Sequence, residues 1–229
     1  MTLYDAIFLR RSVRKYNKTS LSDDFLKELQ THIDDTKQMD GQNARFEIVT
    51  DAEVKGSAPY YILAFCEEGD SAYANIGYVL QKADLFIQSK GLGSLYLGIK
   101  KPKVKSDDFC ILLAFGKSDV PFRKGEEDFK RLSIAEMSSS DNSVARAARL
   151  APSAQNSQPW ELTFSENKVT IDYFGRGMLK KVFRKKLSII DMGIVTRHVE
   201  EALLKEGRRI SSISSKTTGK DFTIDVSFS

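Results

Sequence analysis

Between Asn75 and Gly91 the apolar residues Ile76, Val79, Leu80, Ala83 and Ile87 recur at helical spacing, which lines one face of an α-helix. A second run, from Asp191 to Gly207, repeats the pattern with Val195, Val199, Ala202 and Leu203. The runs open on related tripeptides, Asn75-Ile76-Gly77 and Asp191-Met192-Gly193, and close on glycines at the same interval. Glycines in those positions predict left-handed helix C-caps. Further on, Asp108–Phe115 matches Asp221–Phe228 at four positions, and both segments predict strands. The first is almost wholly apolar, as a central strand is, whereas the second alternates Phe222, Ile224, Val226 and Phe228 with polar residues, as a half-exposed strand does. Ahead of the long helices, Phe46-Glu47-Ile48 is answered by Trp160-Glu161-Leu162. Three matches in the same order point to an internal duplication.

Each half reads as helix, strand, strand, long helix, strand. In the second half Trp160–Phe164 and Val169–Phe174 flank Glu166-Asn167, a two-residue hairpin turn. Ser138–Ser143 reads as a connector into a helix capped by Ser or Asp. The charged segment Lys117–Ser133 is expected to run over the surface. The expectation is an α+β fold with a first half at 1–133 and a second at 138–229, packed as one compact unit. Its pseudo-twofold arrangement is that of an isologous dimer fused into one chain.

Composition narrows the class of function. The 229 residues are 41% hydrophobic and 29% charged, ordinary values for a globular chain with a core. A net charge of +4 is too small and scattered to suggest a nucleic-acid partner. The clusters Arg10-Arg11, Lys100-Lys101 and Arg184-Lys185-Lys186 each fit solvated surface. Two cysteines, Cys66 and Cys110, lie in apolar runs and fit no metal motif or disulfide framework, so buried free thiols in a reducing cytoplasm are expected. No signal peptide and no membrane-spanning run is visible. With only His32 and His198, far apart in sequence, a metal-based or Ser–His–Asp mechanism is poorly supplied.

Two motifs bear chemistry. In Arg10-Arg11-Ser12-Val13-Arg14, which follows an amphipathic turn built on Leu3, Ala6 and Ile7, three guanidinium groups and a hydroxyl fall within five residues. Such a set suits a phosphate, although a basic helix end offsetting its own dipole has the same composition. In Leu150-Ala151-Pro152-Ser153-Ala154-Gln155-Asn156-Ser157-Gln158-Pro159-Trp160, two prolines stiffen a loop rich in short donors and acceptors beside the one tryptophan. This suits the edge of a heterocycle, or a rigid turn between helix and strand.

Together these motifs resemble those of the nitroreductase family of FMN enzymes. In ordinary members both lie near the N-terminus, and a homodimer shares its flavin across the interface. Here they are split. The first half has Met39-Asp40-Gly41-Gln42-Asn43-Ala44-Arg45-Phe46 in place of the proline-serine loop, and the second has no Arg-Arg-Ser ahead of its loop. The arrangement is similar to single-chain nitroreductases in which a duplicated chain mimics the dimer. Gly91–Gly98 resembles the family segment whose backbone approaches the flavin ring, with Leu97 and Gly98 at the contacts, while Gly207–Ser212 has lost that pattern. Lys130-Arg131 resembles the basic pair that reaches the phosphate, Arg131 matching better.

The resemblance implies one complete flavin site and one degenerate one. FMN would be bound by Arg10, Arg11, Ser12, Arg14, Leu97, Gly98, Arg131, Pro152, Ser153, Ala154 and Asn156, with no metal and no catalytic side chain assigned. It further implies an oxidoreductase passing electrons from NADH or NADPH to a small organic acceptor such as a nitroaromatic or quinone. A monomer without nucleic-acid or membrane partners is expected. A flavin-binding protein without turnover and a specialised flavin enzyme of the same superfamily stand as alternatives.

Overall fold

In the computed structural model, residues 1–175, 182–219 and 221–229 are described. The side chain of Arg184, in the third basic cluster, lies outside the described residues. The first half runs α1 (Leu3–Leu9), α2 (Asp23–Asp34), β1 (Arg45–Thr50), β2 (Tyr60–Phe65), α3 (Asp70–Ser89), β3 (Gly93–Leu97) and β4 (Phe109–Gly116). The second runs α4 (Ser143–Arg149), β5 (Trp160–Ser165), β6 (Lys168–Tyr173), α5 (Val182–Lys205), β7 (Ile210–Thr218) and β8 (Asp221–Phe228). The chain is an α+β protein built from two copies of one unit.

The sheets show the duplication directly. One is ordered β1-β2-β4-β3 and the other β5-β6-β8-β7, with every neighbouring pair antiparallel. Rungs through the matched β1 and β5 positions are apolar in both sheets, with the last strand two residues out of register from its sequence match. Ile48 pairs with Ile62 and Ile62 with Leu113 in the first sheet, as Leu162 pairs with Ile171 and Ile171 with Ile224 in the second. β4 is central and its buried run is continuous, because a second small core around Tyr61, Leu63 and Leu112 covers the far face of its sheet. β8 alternates buried and less buried positions, since its far face meets solvent.

The long helices cross at the repeated tripeptides. A Cβ on Gly77 would run into the Ile190 carbonyl oxygen, and one on Gly193 into that of Ala74. Ile190 and Ala74 each lie three residues before the opposite glycine, so the contact is reciprocal, as at the twofold axis of a dimer. Gly91 and Gly207 close these helices with φ of +82° and +79°, the left-handed conformation glycine tolerates.

The structure departs from the expected elements in three places. Each half holds one more strand, β3 or β7, between its long helix and its last strand. The first half opens on two helices rather than one: α2, which carries His32, follows α1, and its N-terminus is capped by Ser22 Oγ, which accepts from the Phe25 N–H at 3.3 Å. The cap of α4 is Asn142, whose Oδ1 accepts from the Ala145 N–H at 2.8 Å, rather than a Ser or Asp of the connector. Cys66 is buried and Cys110 partly so, both unpaired. Among the described residues no helix is long and apolar enough to cross a membrane, and no cluster of three or more His, Cys, Asp or Glu side chains is placed to hold a metal ion.

Candidate flavin site at the junction of the halves

The loop between α4 and β5 has an uncommon backbone. Gln155, Asn156 and Gln158 have φ of +56°, +58° and +47°, the left-handed region that costs a residue with a Cβ on the order of 1–2 kcal/mol. Such a loop persists only where side chains over-determine it. Ser153 Oγ accepts from the Gln158 N–H at 2.9 Å. Gln158, buried, donates to the Asn156 carbonyl at 3.2 Å and accepts from the Leu132 N–H at 3.0 Å. Asn156 donates to the Lys130 carbonyl at 2.9 Å and accepts from Arg131. The Ala154 N–H donates to both carboxyl oxygens of Asp191 on α5, at 3.1 and 3.0 Å. Pro152 is buried at the loop's start.

Facing this loop from the first half is a cluster of guanidinium groups. Arg10 is buried and donates through Nε to Asp84 on α3 at 2.8 Å. Asp84 in turn accepts from Gln88 at 3.0 Å, from Gln81 at 3.1 Å and from Ser94. Gln88 accepts from the Arg11 N–H at 2.8 Å, fixing the turn after α1. Ser12 then bridges Ser94 of β3, and the Val13 N–H donates to the Ser94 carbonyl at 2.9 Å. The side chain of Arg11 donates to the Pro121 carbonyl at 3.1 Å. Arg14 is exposed at the outer end of the motif.

The segment expected to be plain surface adds to this cluster. Arg123 donates to the Arg10 carbonyl, and its guanidinium lies 4.1 Å from the Phe129 ring centroid, with that of Arg131 at 5.6 Å. Burial, then the charges of Arg10 and Arg11, lower the pKa of Arg123 to about 10. Burial, then Arg10, Arg123 and Arg149, do the same to Arg131. Positive charge is therefore concentrated beyond what the adjacent carboxylates offset, which is the condition for an anion receptor. Sequence reasoning passed over Arg123 because a charged linker without periodicity looks like solvated chain. The aromatic Phe129 between two arginines was the available signal.

Leu97 and Gly98 close the far end of β3. Leu97 packs on the second small core, and a Cβ on Gly98 would sit 2.9 Å from Leu187 Cδ2 on α5. Leu187 and Asp191 are one turn apart and share a helix face. One turn of α5 thus links Gly98 to the loop at Ala154. Of the expected site residues, Arg10, Arg11, Ser12, Arg131, Pro152, Ser153, Ala154 and Asn156 come together around the loop and the cluster, Gly98 joins them through α5, Leu97 packs on the second small core, and Arg14 stands outside.

The set fits a phosphate-bearing heterocycle. The arginines suit the phosphate, the amide-rich loop suits a ring edge, and three buried polar atoms of these segments, Arg131 Nε, Ser157 Oγ and Trp160 Nε1, have no hydrogen-bond partner. A cavity of about 510 Å³ lies elsewhere, lined by Ser22, Phe25, Lys90 and Lys117 among others. A smaller one of about 100 Å³, lined by Gln38, Asp40, Tyr78, Glu200, Ile210 and Ile213 among others, occupies the pseudo-equivalent place in the other half. There the Asp40 N–H donates to the Ile213 carbonyl at 3.0 Å, fastening the loop to β7.

A family model described as "Putative TM nitroreductase" matches residues 2–203. Among solved structures, a protein of Thermotoga maritima described as a "putative nitroreductase" superposes with a TM-score of 0.74 at 19% identity, covering 99% of this chain and 93% of that one. A nitroreductase family protein of Clostridium difficile reaches a TM-score of 0.49 at 16% identity, covering 59% of this chain and 95% of its own. No curated protein matches the chain.

Proposed function

Because the chain belongs to the nitroreductase family matched over residues 2–203, we propose that it is an FMN-dependent oxidoreductase holding one flavin between its two halves. The observation that carries this reading is the contact of Arg131, preceding the second half, with Asn156 of the left-handed loop. It joins the guanidinium cluster to a loop whose backbone is strained. In this reading Arg10, Arg11 and Arg131 bind the phosphate, with Ser12 and Arg14 at its edge. Pro152, Ser153, Ala154 and Asn156 orient the ring, and Leu97 and Gly98 form the wall beside it. When bound there, FMN would supply two-electron chemistry between NADH or NADPH and a small organic acceptor such as a nitroaromatic or quinone. The protein's part is to neutralise the phosphate, hold the loop and exclude water.

The closed loop of the other half supports a single site. There the Asp40 N–H donates to the Ile213 carbonyl at 3.0 Å, fastening against β7 the loop that would have to open. We accordingly read the chain as a monomer with halves at 1–133 and 138–229, acting in the cytoplasm, where its free thiols stay reduced.

The absorption spectrum of the purified protein tests the reading. A yellow protein is expected, releasing FMN at a ratio near one per chain, bleached anaerobically by NADH or NADPH and recoloured by a nitroaromatic or a quinone. Colourless protein that takes up no added FMN overturns the assignment. Bound FMN that neither nucleotide reduces identifies a flavin-binding protein without this turnover.

A further inference from the structure

Asn75 and Asp191 stand at matching places, each two residues before the glycine at the helix crossing, and both are buried. They perform the same task in the two halves. Asn75 Oδ1 accepts from the Met39 N–H at 3.0 Å, at the entry to β1, as Asp191 accepts from the Ala154 N–H at the entry to β5. In the first half the clamp is an uncharged amide, and its Nδ2 also donates to Gln38 Oε1 at 2.6 Å. The shared task needs only an accepting oxygen, which an uncharged carboxyl supplies as an amide does.

The surroundings of Asp191 favour that form. α3 meets this part of α5 with Ala74 and Gly77, which bear no charge. From β3 the facing titratable group is Tyr96, whose phenol burial holds well above its ordinary range. On α5 itself Lys185 is paired with Asp70 at 3.0 Å, and Lys186 lies over the Tyr73 ring. Arg131 is engaged with Asn156. Burial raises the carboxyl to a pKa of about 8, against which only the Ala154 N–H acts. A fixed negative charge here would also oppose an anionic ligand.

We propose that Asp191 is a positioning residue that holds the 153–158 loop in its binding conformation as an uncharged carboxylic acid. This rests on the flavin reading of the site. Ligand binding then favours the protonated carboxyl, so affinity is level below pH 8 and falls as the pH rises through it.

The test measures FMN affinity for wild type, Asp191→Asn and Asp191→Ala at pH 6.5 and 9, with hydrogen exchange at the Ala154 amide in the flavin-free proteins. The Asn variant should stay within about threefold of wild type at pH 6.5 and change little by pH 9. Wild type should weaken about tenfold over that interval. The Ala variant should be about tenfold weaker at both pH values, with faster exchange at Ala154. Every other titrating group is common to wild type and the Asn variant, so parallel loss in those two overturns the uncharged form. An Ala variant with wild-type affinity and protection overturns the clamp. Wild type that binds no FMN removes the flavin reading instead, and the Ala154 exchange still decides whether position 191 holds the loop.

Discussion

Arg131 sits where several weak constraints become one strong one. Its guanidinium touches Asn156 and the Leu150 carbonyl and lies over Phe129, while the charges of Arg10, Arg123 and Arg149 press against it. In the proposed site an arriving phosphate would relieve that repulsion, so the side chain would contribute more with ligand bound than without. Charge-assisted hydrogen bonds of this kind contribute about 1.5–3 kcal/mol. Arg131→Ala should therefore weaken FMN binding by about tenfold to a hundredfold. Arg146→Ala, which removes an exposed pair with Asp141 at 3.0 Å, should leave it within about twofold. Equal losses in titrations with free FMN would count against the cluster as the phosphate site. The sequence showed Arg131 only through resemblance. It gave no sign that Gln155 and Gln158 take positive φ, because glutamine has no preference for that region and only the contacts of Ser153, Leu132 and Asp191 impose it.

At the level of elements, the crossing of α3 and α5 is the joint on which the fold turns. Replacing Gly77 or Gly193 by Ala drives a methyl into a backbone carbonyl, which no side-chain rotation relieves. Overpacking of this kind costs about 1–3 kcal/mol and sometimes more. In a chain of this size that lowers Tm by roughly 2–4 °C per kcal/mol. Thermal unfolding should therefore move down by at least several degrees for either variant, and by similar amounts for the two. An unchanged Tm would mean that the helices do not approach as closely as described. This joint was readable from sequence, because helical periodicity and a repeated Gly leave few other packings. β3 and β7 were not. β3 is five residues between glycines, and β7 carries mostly Ser, Lys and Thr with Ile210 and Ile213 as its apolar points. Edge strands of that composition give a two-residue alternation too little amplitude to detect.

For the molecule as a whole, the two sheets and their reciprocal helices reproduce within one chain the symmetry that a homodimer obtains from two. Light scattering in solution should accordingly give the mass of a single chain, with or without flavin, and a dimer mass at micromolar concentration would show that another surface is in use. The reciprocal glycine contact has a consequence beyond packing. In a two-chain dimer one codon writes both sides of the axis, so every substitution is tried twice at once. Here each side has its own codon. Asn75 and Asp191 could part ways, one loop could be fastened shut against β7 and the other kept open, and a change harmful on one side could be tested on the other alone. Two independent inheritances stand in place of one symmetric constraint, and a single asymmetric site of the kind proposed is what such a gene is free to keep.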